Sequence, residues 1–121
     1  MGLDEKEILK LLESGLKKGG LTHSIEDIVI ALKAGRMQAF LNDGALAITQ
    51  IAEFPQKRVL EVLWCAGVLD NVIELKPKLI EFAKEHKCTM GRAYVRPGLV
   101  EPLEQAGWRK AQTVMFFDVE S

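Results

Sequence analysis

Apolar residues recur at helical spacing in the opening stretch. Between Leu3 and Lys18, Ile8, Leu9, Leu11, Leu12 and Leu16 fall on one side. Asp4, Glu5 and Glu7 stand in the first turn and Lys17 and Lys18 in the last, the charge order that suits a helix dipole. Gly19-Gly20 is expected to stop this helix. Ser24 followed by Asp27 reads as a capping box for a second helix, which buries Ile25, Ile28, Val29 and Leu32 and ends at Gly35. The period then shortens. Met37 to Leu41 is a predicted strand, Asn42-Asp43-Gly44 a hairpin turn and Ala45 to Phe54 the return strand. Pro55-Gln56-Lys57 leads tightly into RVLEVLWCA, Arg58 to Ala66.

That nine-residue run is apolar on both sides. Simple alternation places Val59, Glu61, Leu63 and Cys65 on one face and Leu60, Val62, Trp64 and Ala66 on the other. A strand of this kind needs cover on both faces, so it belongs mid-sheet between helices. After the turn Gly67 to Asn71, a helical pattern extends to Cys88. Pro77 is comfortable only in a first turn, so the regular helix is expected from Lys76, unless a kinked turn precedes it. Thr89 to Val95 reads as a strand, Arg96-Pro97-Gly98 as a turn and Leu99 to Ala106 as a short helix closed by Gly107. Trp108 to Val119 completes the pattern as a last strand. The predicted order is ααβββαβαβ, in one domain over residues 1–121 with an N-terminal amphipathic helix (1–22) and a core (23–121).

Composition narrows the function classes. The formal net charge is -1 with both signs well mixed, so no basic face is offered to a nucleic acid. No apolar run approaches the ~18 residues of a membrane span, and MGLDEKEILK is unlike a signal peptide. Cys65 and Cys88 suit two reduced, half-buried thiols and an intracellular, cytoplasmic life, with a disulfide open if their elements are neighbours. His23, His86 and the two cysteines lack metal-binding spacing, and no nucleophilic triad is readable.

The element order, the run RPGLVEPLEQAGWRKAQTVMFFDV with its Gly107-Trp108 pair, the WCAG turn and the two leading helices together resemble the GNAT (acetyl-CoA-dependent N-acetyltransferase) family. The likeness spans about Ser24 to Val119 and is nearest to small GNAT-like proteins of phages and prophages, some of them thought to be virion components. It implies an α+β, three-layer fold, with a mixed, mainly antiparallel sheet of five to six strands and helices on both faces. The family's first strand and one strand of its C-terminal hairpin are missing from the pattern.

The resemblance also implies a CoA-binding turn, Q/R-x-x-G-x-G/A, whose bare amides hold a diphosphate at a helix start. Here Ala66, Gly67, Val68, Leu69, Asp70 and Asn71 occupy it, with one glycine, no Arg or Gln, and a carboxylate where phosphate would lie. Either Asp70 or Asn71 can cap the free amides. The family's general base matches Glu61, whose plainer reading is an ion pair with Arg92 on the next strand. The position of the family's acid tyrosine holds Leu103, which has no proton to give; Tyr94 is the sole tyrosine that can substitute, its plainer reading being packing. Arg92, Arg96 and Arg109 form either a small basic patch or a rim balanced by Glu101 and Glu104. Trp64 and Trp108 read as core residues or interface anchors.

The expectation is therefore a non-catalytic GNAT-like protein with no cofactor, no metal and no nucleic-acid or membrane partner. It would act by self-association or with other virion proteins, in the host cytoplasm and the virion. The alternatives are a divergent acyltransferase using acetyl-CoA with Glu61 as base, and a binding module that uses a V-shaped gap beside Thr89–Val95. The strands Met37–Leu41 and Trp108–Val119 are the expected open edges, which a partner subunit would cover.

Overall fold

A computed structural model describes residues 4–18 and 20–120; the expected helix start at Leu3 and the stop at Gly19 lie outside the described residues. The elements are α1 (Glu5–Lys18), α2 (Ile25–Lys33), β1 (Gln38–Leu41), β2 (Ala45–Glu53), β3 (Arg58–Gly67), α3 (Leu69–Glu74), α4 (Lys76–Glu85), β4 (Met90–Ala93) and α5 (Pro97–Gln105). They form an α+β fold around a four-stranded mixed sheet of order β1-β2-β3-β4, antiparallel except for the parallel β3–β4 pair.

Both sheet faces are covered. Leu46, Ile48 and Trp64 pack against Leu12 and Leu16 of α1 and Ile28 and Ala31 of α2. On the opposite face, Ala45, Ala47, Leu60 and Val62 pack against Val72, Leu75 and Leu79. The small alanines of β2 let α3 and α4 lie close, while the larger residues of the other face meet leucines. Ser24 caps α2 as its sequence predicts: its Oγ accepts from the Asp27 amide (3.2 Å), and its own amide donates to Asp27 Oδ2 (2.8 Å). Pro77 splits the long helical run into α3 and α4, because it has no N–H to continue the ladder. The regular part does begin at Lys76.

Two expectations need correction. Strict alternation along β3 fails, because the β2–β3 register skips Leu63: Thr49 lies opposite Val62 and Ile48 opposite Trp64. One extra residue in a strand is a bulge, and it re-aims everything after it. Trp64 thus joins the α1–α2 core and Cys65 packs toward the α3–α4 core, the reverse of simple alternation. The second correction concerns the last strand. Residues 109–120 form no ladder and are exposed throughout, so the described residues hold four strands, not five or six. An alternating apolar segment becomes a strand only when it docks on a sheet edge, and among the described residues this one pairs with none.

Candidate functional site

The polar centre of the molecule lies where β2, β3 and β4 run side by side. Gln50 is the cross-strand neighbour of Glu61, and Glu61 that of Arg92, so three polar side chains line up across the sheet at one level. Glu61 is only 4% exposed and carries four hydrogen bonds. Its Oε1 accepts from Gln50 Nε2 at 3.0 Å. Its Oε2 accepts from Arg92 Nε at 3.0 Å, from Arg92 Nη2, and from the Tyr94 hydroxyl at 2.9 Å. The Arg92 guanidinium also lies 5.1 Å from the Phe54 ring centroid and 5.9 Å from that of Tyr94, where ring faces stabilise a cation.

These contacts fix the charge state of the cluster. Burial pushes the Glu61 carboxyl up, but the bonds from Arg92, Gln50 and Tyr94 and the Arg92 charge outweigh it and hold the pKa below the ordinary value. The hydrogen bond to Glu61 raises the Arg92 pKa further. Burial and then the bond to Glu61 raise that of Tyr94, which keeps its proton. The result is a carboxylate–guanidinium pair closed off by a phenol and an amide.

The β3–β4 ladder ends at Val62–Ala93, with a last bond from the Tyr94 amide to the Val62 carbonyl (3.0 Å). Beyond the bulge, Leu63 to Gly67 have no ladder partner on that side among the described residues. The turn that follows is braced against the β1–β2 hairpin. The Val68 amide donates to the Gly44 carbonyl (3.0 Å) and Asn42 Nδ2 to the Asn71 carbonyl (2.7 Å). Asn42 Oδ1 also accepts from the amides of Gly44 and Ala45, closing the hairpin. Gly67 has φ +131°, and a Cβ there would stand 2.2 Å from the Gly44 carbonyl oxygen, so only glycine fits.

At the head of α3, Val68 takes the cap position with no side-chain hydrogen bond, and Asp70 stands in the first turn. Neither Asp70 nor Asn71 thus provides the expected side-chain cap; the main-chain brace to Gly44 takes its place.

The structure brings Glu61 and Tyr94 together and leaves the six turn residues beyond the bulge: Ala66 and Gly67 end β3, Val68 caps α3, and Leu69, Asp70 and Asn71 open it. Leu103 is a buried core residue. Arg92 is committed to Glu61, which counts against a basic patch of Arg92, Arg96 and Arg109, one of the two readings of these residues. The expected balancing of those arginines by Glu101 and Glu104 does not occur as ion pairs among the described residues; the two present are Arg92–Glu61 and Arg58–Glu53. Cys65 and Cys88 are free, half-buried thiols, and burial raises the Cys65 pKa. Trp64 is core, whereas Trp108 is half-buried beside Lys76, with its indole nitrogen buried and unpartnered among the described residues. Sequence reasoning missed Gln50 and Phe54. An apolar strand with one amide directly opposite a buried glutamate was the available signal, but it needs the register to be seen.

Among the described residues no three His, Cys, Asp or Glu side chains cluster as metal ligands, and no helix is long and apolar enough to cross a membrane. Comparison with family models, curated proteins and solved structures finds no match.

Proposed function

We propose that this chain is a GNAT-like domain that has lost catalysis and works through its surfaces as a structural or accessory component of an assembly. The observation that carries the reading is the state of Glu61. A general base needs a free lone pair and a pKa raised toward the working pH. Glu61 accepts four hydrogen bonds, is 4% exposed, and has its pKa held down, so it is neither accessible nor poised to take a proton near neutral pH. It is a cross-strand tie rather than a reagent.

The turn after Ala66 argues the same way. Its first amide, Val68, is already given to Gly44, and Gly67 is backed against that carbonyl. Asp70 brings a negative charge into the first turn of a helix only six residues long. A diphosphate would meet a spent donor and a like charge, so these residues do not fit CoA. The resemblance to phage- and prophage-encoded proteins makes a virion assembly, in a host cell, the expected setting, with self-association or other virion proteins as partners.

A thermal-shift titration with acetyl-CoA tests this. Binding to the native state must raise the melting temperature, by linkage. The expected result is no shift up to ~1 mM ligand, the upper end of the range in which enzymes commonly half-saturate. A saturable rise would overturn the reading.

One observation favours a second reading. The structure does place the only tyrosine, still protonated, 2.9 Å from the candidate base. In a divergent acyltransferase Glu61 would be the base and Tyr94 the acid, with acetyl-CoA as donor. Transferase activity that is lost in both Glu61→Gln and Tyr94→Phe while the fold persists would establish it.

A further inference from the structure

In the segment after α5 the sequence pattern and the structure disagree. Residues 109–120 have the alternation of a strand, yet among the described residues they make no backbone hydrogen bond. Exposure along the segment is uneven. Met115, Phe117 and Val119 are 86, 87 and 90% exposed, whereas Val114 and Phe116 are 57 and 69%. The Phe116 ring rests by Gly20, where an added Cβ would meet it at 3.1 Å. The segment therefore leans on its own domain with one side and carries three large apolar side chains, spaced by two, on the other. Unpaired backbone beside such a stripe is a template for strand pairing.

The order of residues says what pairs with it. In a parallel pair with a second copy, Lys110 would face Lys110 and Glu120 would face Glu120. In an antiparallel pair centred on Met115, Lys110 falls opposite Glu120 and Gln112 opposite Asp118, each twice by symmetry. Val114 then lies opposite Phe116, and Met115 opposite itself. Centring the pair on Val114 instead sets Gln112 against Phe116, and centring it on Phe116 sets Asp118 against Val114. Of these three registers, only the one at Met115 both sets Lys110 against a carboxylate and leaves Val114, Met115 and Phe116 facing apolar partners.

We propose that two copies of this chain associate by antiparallel pairing of residues 110–120 about a twofold axis at Met115. This builds on the surface-acting reading above and names its partner as a second copy. The pairing satisfies the free main-chain groups of both segments, ends in a Lys110–Glu120 ion pair at each side, and is isologous, so it closes at the dimer.

Sedimentation velocity on the whole chain from ~1 to ~100 µM brackets the affinity of a small interface of this kind. A concentration-dependent dimer is expected. Lys110→Glu and Glu120→Lys each set two like charges together at both ends and should weaken association roughly tenfold or more, while the double reversal restores it. Met115→Cys should cross-link two chains on mild oxidation, since the residue faces its own copy across ~5 Å. Phe117→Cys, which faces Thr113, should not. A monomer throughout, a dimer indifferent to the single reversals, or cross-linking as fast at 117 as at 115 would each overturn the proposal. None of these outcomes depends on acetyl-CoA, so they are separable from the titration above.

Discussion

Replacing Arg92 with methionine isolates what the central cluster contributes. The variant keeps most of the side-chain volume and removes the cation from a carboxylate that is 4% exposed. Breaking a fully buried pair on one side costs about 3–5 kcal/mol. Two features lower that figure here. The Arg92 side chain is 38% exposed, so water screens part of the attraction. Gln50 and Tyr94 remain to satisfy both oxygens of Glu61. Loss of two charge-assisted bonds under those conditions gives a destabilisation of about 2 kcal/mol. Urea unfolding should show it as a lower midpoint with an unchanged slope. The double variant with Glu61→Gln should be less damaged than the sum of the singles, by about 1–2 kcal/mol, because the stranded charge is gone.

The pH dependence supplies a second check with a definite sign. In the native protein the folded pKa of Glu61 lies below its ordinary 4.5. Its contribution is therefore fully present above that ordinary value and is lost as pH falls through the folded value. Without Arg92, the burial that pushes the carboxyl up has less opposing it, and its pKa should move above the ordinary value. The variant then gains stability relative to the native protein on acidification, and the gap between them narrows from about pH 7 to about pH 4. An Arg92→Met protein within ~0.5 kcal/mol of the native one, with a gap that ignores pH, would refute the account of Glu61 as a structural tie.

Gly67→Ala should cost about 2–4 kcal/mol, read as a fall in melting temperature, since its Cβ would overlap the Gly44 carbonyl at a φ of +131°. A change under ~0.5 kcal/mol would show that the turn can shift away from the hairpin. Asn42→Ala removes two bonds that close the hairpin and one that holds the turn, for about 1–3 kcal/mol in chemical denaturation. A simple surface effect would leave the midpoint in place.

Local patterning was legible in the residues. The leucines of α1, the Ser24–Asp27 box, the Asn42–Gly44 hairpin and the Lys76-Pro77 restart all act through neighbours within a few positions, so sequence alone places them. The pairing of Glu61 with Arg92 was also readable, because a lone buried carboxylate on a strand needs a cation and the next strand offered one. The wider cluster was not. Gln50 and Phe54 reach Glu61 and Arg92 only once the strand register is set, and register is a long-range property.

The sequence by itself determined the kind and place of most elements and the location of the one buried charged side chain among the described residues. Tertiary structure alone decided three things. The extra residue at Leu63 reversed which faces Trp64 and Cys65 serve, because an alternating pattern carries no record of where a ladder skips. The hairpin at Gly44 took up the Val68 amide, which an isolated turn would have left free. The apolar-rich run 113–119 remained without a ladder among the described residues, because strand propensity is realised only where the fold sets another strand about 5 Å away, which no local pattern records.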